Sequence, residues 1–221
     1  MPGIIQLPRE PIMSSPNYPA NQSALILVDV LNEFLAEDGK LHSAIQPMLE
    51  KTELIANLQR LLNGARAAGV KIFFSPHGLD EHSFDDVRHL HPRFQMAMDN
   101  QMFWKGSRGA EFFEPLRPRP QEFVVSPHRI FSSFQGTDLQ VQLQREGIEK
   151  VVIAGLTSQT CVEGTGRDAL EAGYHVTFLT DAVADFSEQA HRAALDVSYP
   201  TFGHETLTVS QFLAAVEPSK T

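Results

Sequence analysis

The sequence contains a single cysteine, Cys161, among 221 residues. One cysteine excludes a disulfide within the chain, so nothing points to an oxidising compartment. The first residues include no apolar stretch of signal-peptide length, and no window approaches the roughly 20 apolar residues of a membrane helix. We therefore expect a cytoplasmic protein that does not enter a membrane.

Positive charge is also scarce. The chain has 18 Lys and Arg residues against 27 Asp and Glu, a formal net charge of -9. A nucleic-acid partner would need a basic face, and the sequence supplies none. No G-x-G-x-x-G run follows a predicted strand and no Walker loop occurs, so the dinucleotide and P-loop fingerprints are absent. We expect no cofactor and a small molecule as the partner.

What the sequence does contain is a regular alternation of short apolar runs and amphipathic runs. Residues 1–22, rich in Pro, Ser and Asn, are predicted to form an extended arm, and residues 23–221 a single domain. Strands are predicted at 24–30, 71–76, 122–126, 150–156, 175–184 and 204–209. Helices are predicted at 47–70, 137–148, 161–174, 187–198 and 210–217. This alternation indicates an α/β fold, a parallel sheet with helices on both faces.

Two local features add to this outline. Ser187 and Ser210 precede predicted helices and are expected to cap them. Residues 77–120 are irregular and rich in His, Phe, Arg and Pro, and loops of this length in compact domains are usually functional.

Four polar or reactive residues follow the ends of predicted strands. Asp29 closes the first strand, His77 follows the second, His128 the third and Cys161 the fourth. In an open parallel sheet the functional site lies at the carboxyl ends of the strands. We therefore expect an acid, an imidazole and a thiol to meet at one edge of the sheet.

These residue types are suited to nucleophilic catalysis. Cys161 stands at the start of a predicted helix, whose free N–H groups and dipole favour a thiolate and can hold an oxyanion. Asp29 in a poorly solvated pocket can accept the thiol proton. A nearby imidazole can relay a proton or favour the thiolate.

Each of these residues also has a purely structural interpretation. A lone buried cysteine packs as a small apolar side chain. A carboxylate at a strand end caps backbone N–H groups, and a loop histidine bonds to a carbonyl. From the residues alone, both interpretations stay open.

The run GLTSQTCVEGTGRDA around Cys161, together with ALILVDVLNEF at the first strand and FSSF after His128, resembles the isochorismatase-like cysteine hydrolases. This superfamily includes isochorismatase, nicotinamidase, N-carbamoylsarcosine amidohydrolase and biuret hydrolase. The resemblance extends over residues 22–217. Its most specific part is the G-x-T-x-x-C-V run followed by T-x-R-D-A.

The resemblance implies a three-layer α/β/α sandwich with a six-stranded, mostly parallel sheet. The family triad is Asp, Lys and Cys, which makes Asp29 and Cys161 catalytic. A cis peptide between Leu156 and Thr157 is implied, with an oxyanion hole formed by the backbone N–H groups of Thr157 and Cys161. Family members are commonly dimers or tetramers, so a homodimer or homotetramer is expected.

The sequence departs from the family at the triad lysine. Alignment on FSSF puts His128 at the position of that lysine. Lysine stays cationic near neutral pH, whereas histidine titrates there. We predict His128 as the third catalytic residue, acting either as an imidazolium that stabilises the thiolate or as a neutral base or hydrogen-bond partner.

The histidine- and aromatic-rich loops contain candidates for a metal site and for a substrate wall. SPHGLDEHSF (75–84) loosely resembles the Asp-x-His metal site of nicotinamidases, but Ser75 stands at the aspartate position and His82 is displaced. We therefore expect no bound metal. The residues predicted to contact substrate are Phe34, His77, Trp104 and Phe134, and Phe103 and Phe131 are further aromatic candidates for the substrate wall. Aromatic side chains in such positions are as often part of the core.

Three functions are compatible with this sequence. The first is a cysteine hydrolase that opens a C–N bond of a small amide, ureide or carbamoyl compound through a thioester on Cys161. The second is vinyl-ether hydrolysis of the isochorismatase type, with Asp29 as general acid and Cys161 incidental. The third is a non-catalytic binding protein. The presence of Cys161 favours acyl chemistry, the first of the three.

Overall fold

The computed structural model describes residues 16–217, and a six-stranded sheet forms its middle layer. The described residues form eight strands, six in this sheet and two, the first and the last, in a separate pair. They are β1 (Tyr18–Pro19), β2 (Ser23–Val28), β3 (Lys71–Ser75), β4 (Phe123–Val124), β5 (Lys150–Leu156), β6 (His175–Ala184), β7 (Glu205–Leu207) and β8 (Val216–Glu217). The large sheet has the order β4-β3-β2-β5-β6-β7, and every neighbouring pair is parallel. The predicted six-stranded parallel sheet is confirmed.

Helices cover both faces of this sheet. They are α1 (Asn32–Leu35), α2 (His42–Lys51), α3 (Leu54–Ala68), α4 (Pro92–Asp99), α5 (Leu139–Arg145), α6 (Glu163–Glu171), α7 (Glu188–Ala193), α8 (Tyr199–Phe202) and α9 (Val209–Ala215). Within residues 16–217, no helix combines the length and the apolar character that crossing a bilayer requires.

The alternation of side chains along β2 explains the three layers. Leu25 and Leu27 pack in one core with residues of α2, α3 and α9. Ile26 and Val28 pack in a second core with residues of α5, α6 and α8. Because successive side chains of a strand point to opposite faces, a continuous apolar run is buried on both sides.

Several predicted element boundaries are wrong. The helix predicted at 47–70 is two helices, α2 and α3, separated at Glu53, which has a left-handed φ of 49°. The last helix begins at Val209, and Thr208 rather than Ser210 caps it through a capping box. Ser187 caps α7 as predicted, since its side chain accepts a hydrogen bond from the Ala190 N–H.

The chain before β2 is described only from residue 16, and residues 1–15 of the predicted arm lie outside the described part. Tyr18–Pro19 pairs in parallel with Val216–Glu217. Tyr18 is fully buried, packs edge-on against Phe212 at 5.1 Å between ring centroids, and shares a 2.7 Å hydrogen bond with Thr177. This part of the arm therefore packs on the body of the same chain.

The long segment 77–120 is irregular over most of its length but is firmly attached to the chain after β2. Its one α-helix is α4. The Phe103 N–H donates to the buried Glu33 carboxylate at 3.3 Å, and the Asn32 side chain donates to the Arg108 carbonyl at 3.0 Å. These contacts hold the segment over the carboxyl edge of the sheet.

The order of strands reverses direction at β2. The chain runs outward from β2 through β3 to β4, and then returns to β5 on the other side of β2. The carboxyl ends of two strands that flank such a reversal form a crevice where ligands bind. Asp29 directly follows β2, and the loop that carries Cys161 directly follows β5.

Candidate active site

Asp29 lies at the end of β2 in a strained backbone conformation. Its φ is 54°, in the left-handed region, which costs a residue with a side chain of order 1–3 kcal/mol. The strain is held by a hydrogen bond from the Asp29 N–H to the Ser75 carbonyl at 2.9 Å. Strained residues of this kind cluster at functional sites. The turn leaves the Asp29 carboxylate fully buried.

A glycine on the neighbouring strand makes this turn possible. Gly155 on β5 has a φ of 118°, and a Cβ atom built there would lie 2.0 Å from the Val28 carbonyl oxygen. No side chain fits in that space, so only glycine lets β5 approach the end of β2 this closely.

His128 lies in the segment that follows β4, and its backbone is hydrogen-bonded to the segment that follows β3. Its N–H donates to the Pro76 carbonyl at 3.0 Å, and its carbonyl accepts from the Gly78 N–H at 3.1 Å. Its ring Nε2 lies 3.0 Å from Asp29 Oδ1, and Nδ1 lies 3.2 Å from the Ile130 carbonyl oxygen. Both side chains of the Asp29–His128 pair are completely buried.

These contacts determine how many protons the pair carries. A carbonyl oxygen only accepts, so the hydrogen-bond geometry assigns a proton to Nδ1. A further proton must then lie between Nε2 and Oδ1, because two acceptors would repel each other. The pair is therefore an imidazolium beside a carboxylate, or a neutral imidazole beside a carboxylic acid, and both forms hold the same number of protons.

Cys161 completes the site. Its Sγ, a ring nitrogen of His128 and a carboxylate oxygen of Asp29 all lie within 4.8 Å of one another, and all three residues are buried. We call Asp29, His128 and Cys161 the reactive cluster. The structure thus brings together the acid, the imidazole and the thiol from three separate strand ends.

The charge state of the thiol differs from our expectation. The helix N-terminus was expected to favour a thiolate, but burial and then the neighbouring Asp29 carboxylate raise the pKa of the Cys161 thiol well above its ordinary value. Cys161 lies inside a π-helical turn, Ser158–Val162, which directly precedes α6. The stabilisation from a helix terminus, up to about 1 kcal/mol at an exposed site, is outweighed by desolvation.

The residues that precede Cys161 contribute backbone groups to the same place. The peptide bond between Leu156 and Thr157 is cis. The Thr157 backbone lowers the pKa of the Cys161 thiol, against the larger opposing effect of burial. One backbone group of this loop therefore favours the charged form of the sulfur.

A second buried polar cluster supports this loop from behind. Ser158 Oγ lies 2.9 Å from His191 Nδ1, and the Tyr199 hydroxyl donates to the Ser158 carbonyl at 3.2 Å. The two Asp185 carboxylate oxygens accept from the N–H groups of Gln159 at 2.8 Å and Phe186 at 2.9 Å. We call Ser158, Asp185, His191 and Tyr199 the supporting cluster. Sequence reasoning missed it, because its members lie in four separate segments that only tertiary packing brings together.

A cavity of about 380 Å³ opens above Cys161. Of the predicted contact residues, Phe34 and His77 line it, whereas Trp104 and Phe134 do not. Trp104 packs behind the wall against the small core of Leu79, Phe84, Phe94 and Ala97, and Phe134 packs against Tyr174. Phe103 and Phe131, the other aromatic candidates, also line it. The lining that sequence reasoning did not identify comprises Leu41, Arg93, Phe94, Met96, Ala97, Met102, Ile130, Thr160 and Phe186.

Arg93 is the one Lys or Arg in this lining, which includes no Asp or Glu. Its guanidinium lies 5.9 Å from the centre of the Phe131 ring, a cation–π distance. A larger groove of about 820 Å³ near α1, α2 and α3 has an acidic lining that includes Glu37, Asp38, Glu50 and Glu53, and no cysteine. The cavity above Cys161 is therefore the candidate substrate site.

His77 is a neutral member of the cavity wall. Burial lowers its pKa to about 3. Its ring stacks on Phe103 at 4.7 Å and lies 5.0 Å from the His128 ring, and its Nδ1 has no hydrogen-bond partner among the described residues. His82 lies apart from it, exposed and paired with Asp85 at 3.0 Å. The two histidines of the loosely matched metal motif therefore have unrelated surroundings.

Comparison with known proteins places the chain in a family. A family model described as the isochorismatase domain matches residues 23–210. The ureidoacrylate amidohydrolase RutB of Variovorax paradoxus is 28% identical over 213 residues, which cover 90% of this chain and 83% of that protein. The corresponding enzyme of Pantoea ananatis is 29% identical over 206 residues, 88% of this chain and 82% of that protein.

Solved structures give the same result for the fold. A cysteine hydrolase from Pseudomonas syringae superposes with a TM-score of 0.76 at 23% identity, over 92% of this chain and 97% of that chain. A pyrazinamidase/nicotinamidase from Streptococcus mutans superposes with a TM-score of 0.66 at 27% identity, over 84% and 99% of the two chains. The match of the domain over most of the chain, together with the strand order, establishes that this protein belongs to the isochorismatase family of hydrolases.

Proposed function

We propose that this protein is a cysteine hydrolase that cleaves a C–N bond of a small amide, ureide or carbamoyl compound through a thioester on Cys161. The observation that carries the proposal is the convergence of the reacting atoms of Asp29, His128 and Cys161 within 4.8 Å beneath a cavity of about 380 Å³. Relatives called ureidoacrylate amidohydrolase and pyrazinamidase/nicotinamidase support the amide-type bond.

Asp29 acts as the base in this proposal. Its Oδ1 is bonded to His128, whereas its Oδ2 is buried with no hydrogen-bond partner among the described N and O groups. A buried carboxylate oxygen of this kind is a ready acceptor for the thiol proton. The raised pKa of the Cys161 thiol keeps the sulfur protonated until the substrate arrives. The thiolate then forms only as the new C–S bond forms.

The remaining steps use groups that already lie around the sulfur. Sγ attacks the carbonyl carbon, and the backbone N–H groups of Thr157 and Cys161 hold the oxyanion. The proton held by Asp29 passes to the leaving nitrogen, the C–N bond breaks, and a thioester remains on Cys161. Water then hydrolyses the thioester. His128 holds Asp29 in place and supplies positive charge beside the developing anion.

The cavity wall suggests which substrates fit. Phe34, Phe103 and Phe131 provide an apolar surface, and His77 is held neutral. Arg93 is the single cation, so we propose a substrate with an apolar body and an anionic group that pairs with this guanidinium. A ureido or carbamoyl acid has this combination.

Peptide mass spectrometry, together with measurement of the released product, tests the reaction. The wild type is incubated with a panel of small amides, ureides and N-carbamoyl acids, quenched in acid and digested. We expect an acyl adduct on the Cys161 peptide and product release, and we expect Cys161→Ala to lose both adduct and turnover by at least about 10³-fold. Retained turnover in Cys161→Ala would instead favour ether hydrolysis by Asp29. Absence of both turnover and adduct would favour a binding protein.

A further inference from the structure

The reactive cluster has the composition of a transition-metal site as well as that of a catalytic triad. We infer that Asp29, His128 and Cys161 bind Zn²⁺ or a similar soft divalent cation, with one coordination position left open. Thiolate sulfur, imidazole nitrogen and carboxylate oxygen are the three ligand types that Zn²⁺ takes in proteins. Mg²⁺ and Ca²⁺ prefer oxygen ligands, so this set discriminates against them.

The distances allow this coordination. The three donor atoms lie within 4.8 Å of one another, and the Nε2 to Oδ1 separation is 3.0 Å. Tetrahedral Zn²⁺ with bonds of about 2.0–2.3 Å places its ligand atoms roughly 3.3–3.8 Å apart. Shifts of about 1 Å or less therefore close the site around an ion.

Two further observations point to a ligand. Asp29 is fully buried, yet its Oδ2 has no hydrogen-bond partner among the described N and O groups. The Nδ1 of His128 is already bonded to the Ile130 carbonyl at 3.2 Å. Metal-bound histidines almost always donate their second ring N–H in this way, which fixes the ring and the tautomer.

The charge of the loaded site balances. Binding displaces the thiol proton and the proton shared by the Asp29–His128 pair, and both leave to solvent. A thiolate, a carboxylate and a neutral imidazole then surround a doubly charged ion, so the buried site becomes neutral. Cys161 lines the cavity, so the open fourth position faces the place of the substrate.

Metal binding and thioester chemistry compete for the same sulfur. Coordination to Zn²⁺ lowers the nucleophilicity of the sulfur and occupies the Asp29 carboxylate that acts as the base, so we expect Zn²⁺ to be a reversible inhibitor. This consequence rests on the proposed function, whereas the binding itself does not. The two are therefore measured separately.

Titration with Co²⁺ alone provides the first measurement. Protein stripped with EDTA and exchanged into metal-free buffer is expected to show a thiolate-to-cobalt charge-transfer band that saturates at one equivalent and disappears when Zn²⁺ is added. Cys161→Ser is expected to lose the band. His128→Lys retains a positive charge and the thiol but loses the nitrogen ligand, so its affinity is expected to fall by at least about 100-fold.

Two further variants guard against misfolding and against surface binding. Asp29→Asn removes the carboxylate ligand and is used if His128→Lys does not fold. His82→Asn removes an exposed histidine and is expected to leave the titration unchanged. The absence of a band in the wild type, or equal Co²⁺ affinity in His128→Lys, would overturn the site. A band without inhibition by Zn²⁺ would instead contradict Cys161 as the nucleophile.

Discussion

The two buried polar clusters that meet at the 157–161 loop differ in one respect, which is how completely their polar atoms are satisfied. In the supporting cluster, Ser158 Oγ, the Tyr199 hydroxyl and both Asp185 oxygens all have partners at 2.8–3.2 Å. In and beside the reactive cluster, three buried atoms have no hydrogen-bond partner among the described N and O groups. They are Asp29 Oδ2, Ser75 Oγ and His77 Nδ1.

This difference distinguishes the cluster that supports the loop from the cluster that carries the reactive atoms. A satisfied buried hydrogen bond contributes about 0.5–1.5 kcal/mol to stability, whereas an unsatisfied buried group costs about 1–3 kcal/mol. A protein retains the second kind where the free atom has a use. The Ser, His and Asp residues of the supporting cluster resemble a catalytic set by composition alone. Their hydrogen-bonding groups are already used to hold the 157–161 loop in place.

The electrostatics of the two clusters differ in a parallel way. Burial raises the pKa of Asp185, while the two backbone N–H groups that it accepts oppose the increase. The pKa of the Cys161 thiol is raised well above its ordinary value by burial and by the neighbouring Asp29 carboxylate. The carboxylate–thiol interaction is therefore the feature to perturb first.

Replacing Asp29 by Asn should separate thiol acidity from catalysis. Removing the carboxylate removes a negative charge that disfavours the thiolate, so the pKa of Cys161 falls and its alkylation by iodoacetamide inflects at a lower pH than in the wild type. Turnover should nevertheless fall by about 10²–10⁴-fold, because the base is lost. Alkylation rate against pH and kcat are measured on the same preparation.

The matched control is Asp185→Asn in the supporting cluster. It removes an equally buried carboxylate that accepts from Gln159 and Phe186 rather than from the sulfur. It should lower stability while leaving the alkylation inflection where it is in the wild type. An inflection that moves upward in Asp29→Asn, or moves equally in both variants, would refute the assignment of Asp29 as the base.

A smaller effect on activity is expected from Ser158→Ala. The change leaves His191 Nδ1 buried without its partner, so the free energy of unfolding should fall by about 1–3 kcal/mol in urea titration. Activity should fall by less than about tenfold, because the loop is loosened while no reacting group is removed. Tyr199→Phe, which removes the donor to the Ser158 carbonyl, serves as the comparison.

The opposite result in Ser158→Ala would mean that the supporting cluster, and not the reactive cluster, carries out the chemistry. If turnover fell by about 10³-fold or more with an unchanged unfolding free energy, Ser158 and His191 would belong to the chemistry. In the wild type, fragmentation of the peptide that carries both residues would then place the acyl adduct on Ser158 rather than on Cys161.

The sequence predicts the reactive cluster better than the supporting one for a physical reason. Asp29, His128 and Cys161 each follow a strand, and parallel strands bring their carboxyl ends to one edge. Ser158 and His191 are 33 residues apart and meet only because α7 packs on the π-helical turn. No strand-end rule predicts that contact, so packing alone reveals it.

The cavity wall was the least predictable part. Trp104 and Phe134 were chosen as aromatic residues in loops near the predicted site, but Trp104 packs against the small core behind the cavity wall and Phe134 against the second core of the domain. Arg93 and Phe94 lie on α4, a helix of eight residues inside a segment without clear periodicity. Helices this short give little periodic signal, and their orientation is set by tertiary contacts.

The helix-terminus argument for Cys161 failed for a related reason. The sequence places the thiol at the start of an amphipathic run, whereas the structure inserts a π-helical turn there and begins α6 at Glu163. The burial of Cys161, at 7% exposure, then dominates its acidity. Local pattern predicted the position of the residue but not its solvation.

The smallest predicted effect concerns Arg93, at the wall of the cavity rather than in either cluster. A cation in a lining of aromatic and aliphatic side chains should select an anionic substrate, but Arg93 is exposed, so water screens much of the attraction. Arg93→Gln should therefore raise KM for an N-carbamoyl acid by about 3–10-fold, with kcat nearly unchanged. Arg93→Lys should recover part of the affinity, because it restores charge without the planar fork. The neutral amide of the same compound should bind the wild type and Arg93→Gln alike, and added salt should reduce the difference seen with the acid. If both compounds lost affinity equally, the contribution of Arg93 would be packing against Phe131, and the anionic substrate class would be withdrawn while the chemistry at Cys161 stood.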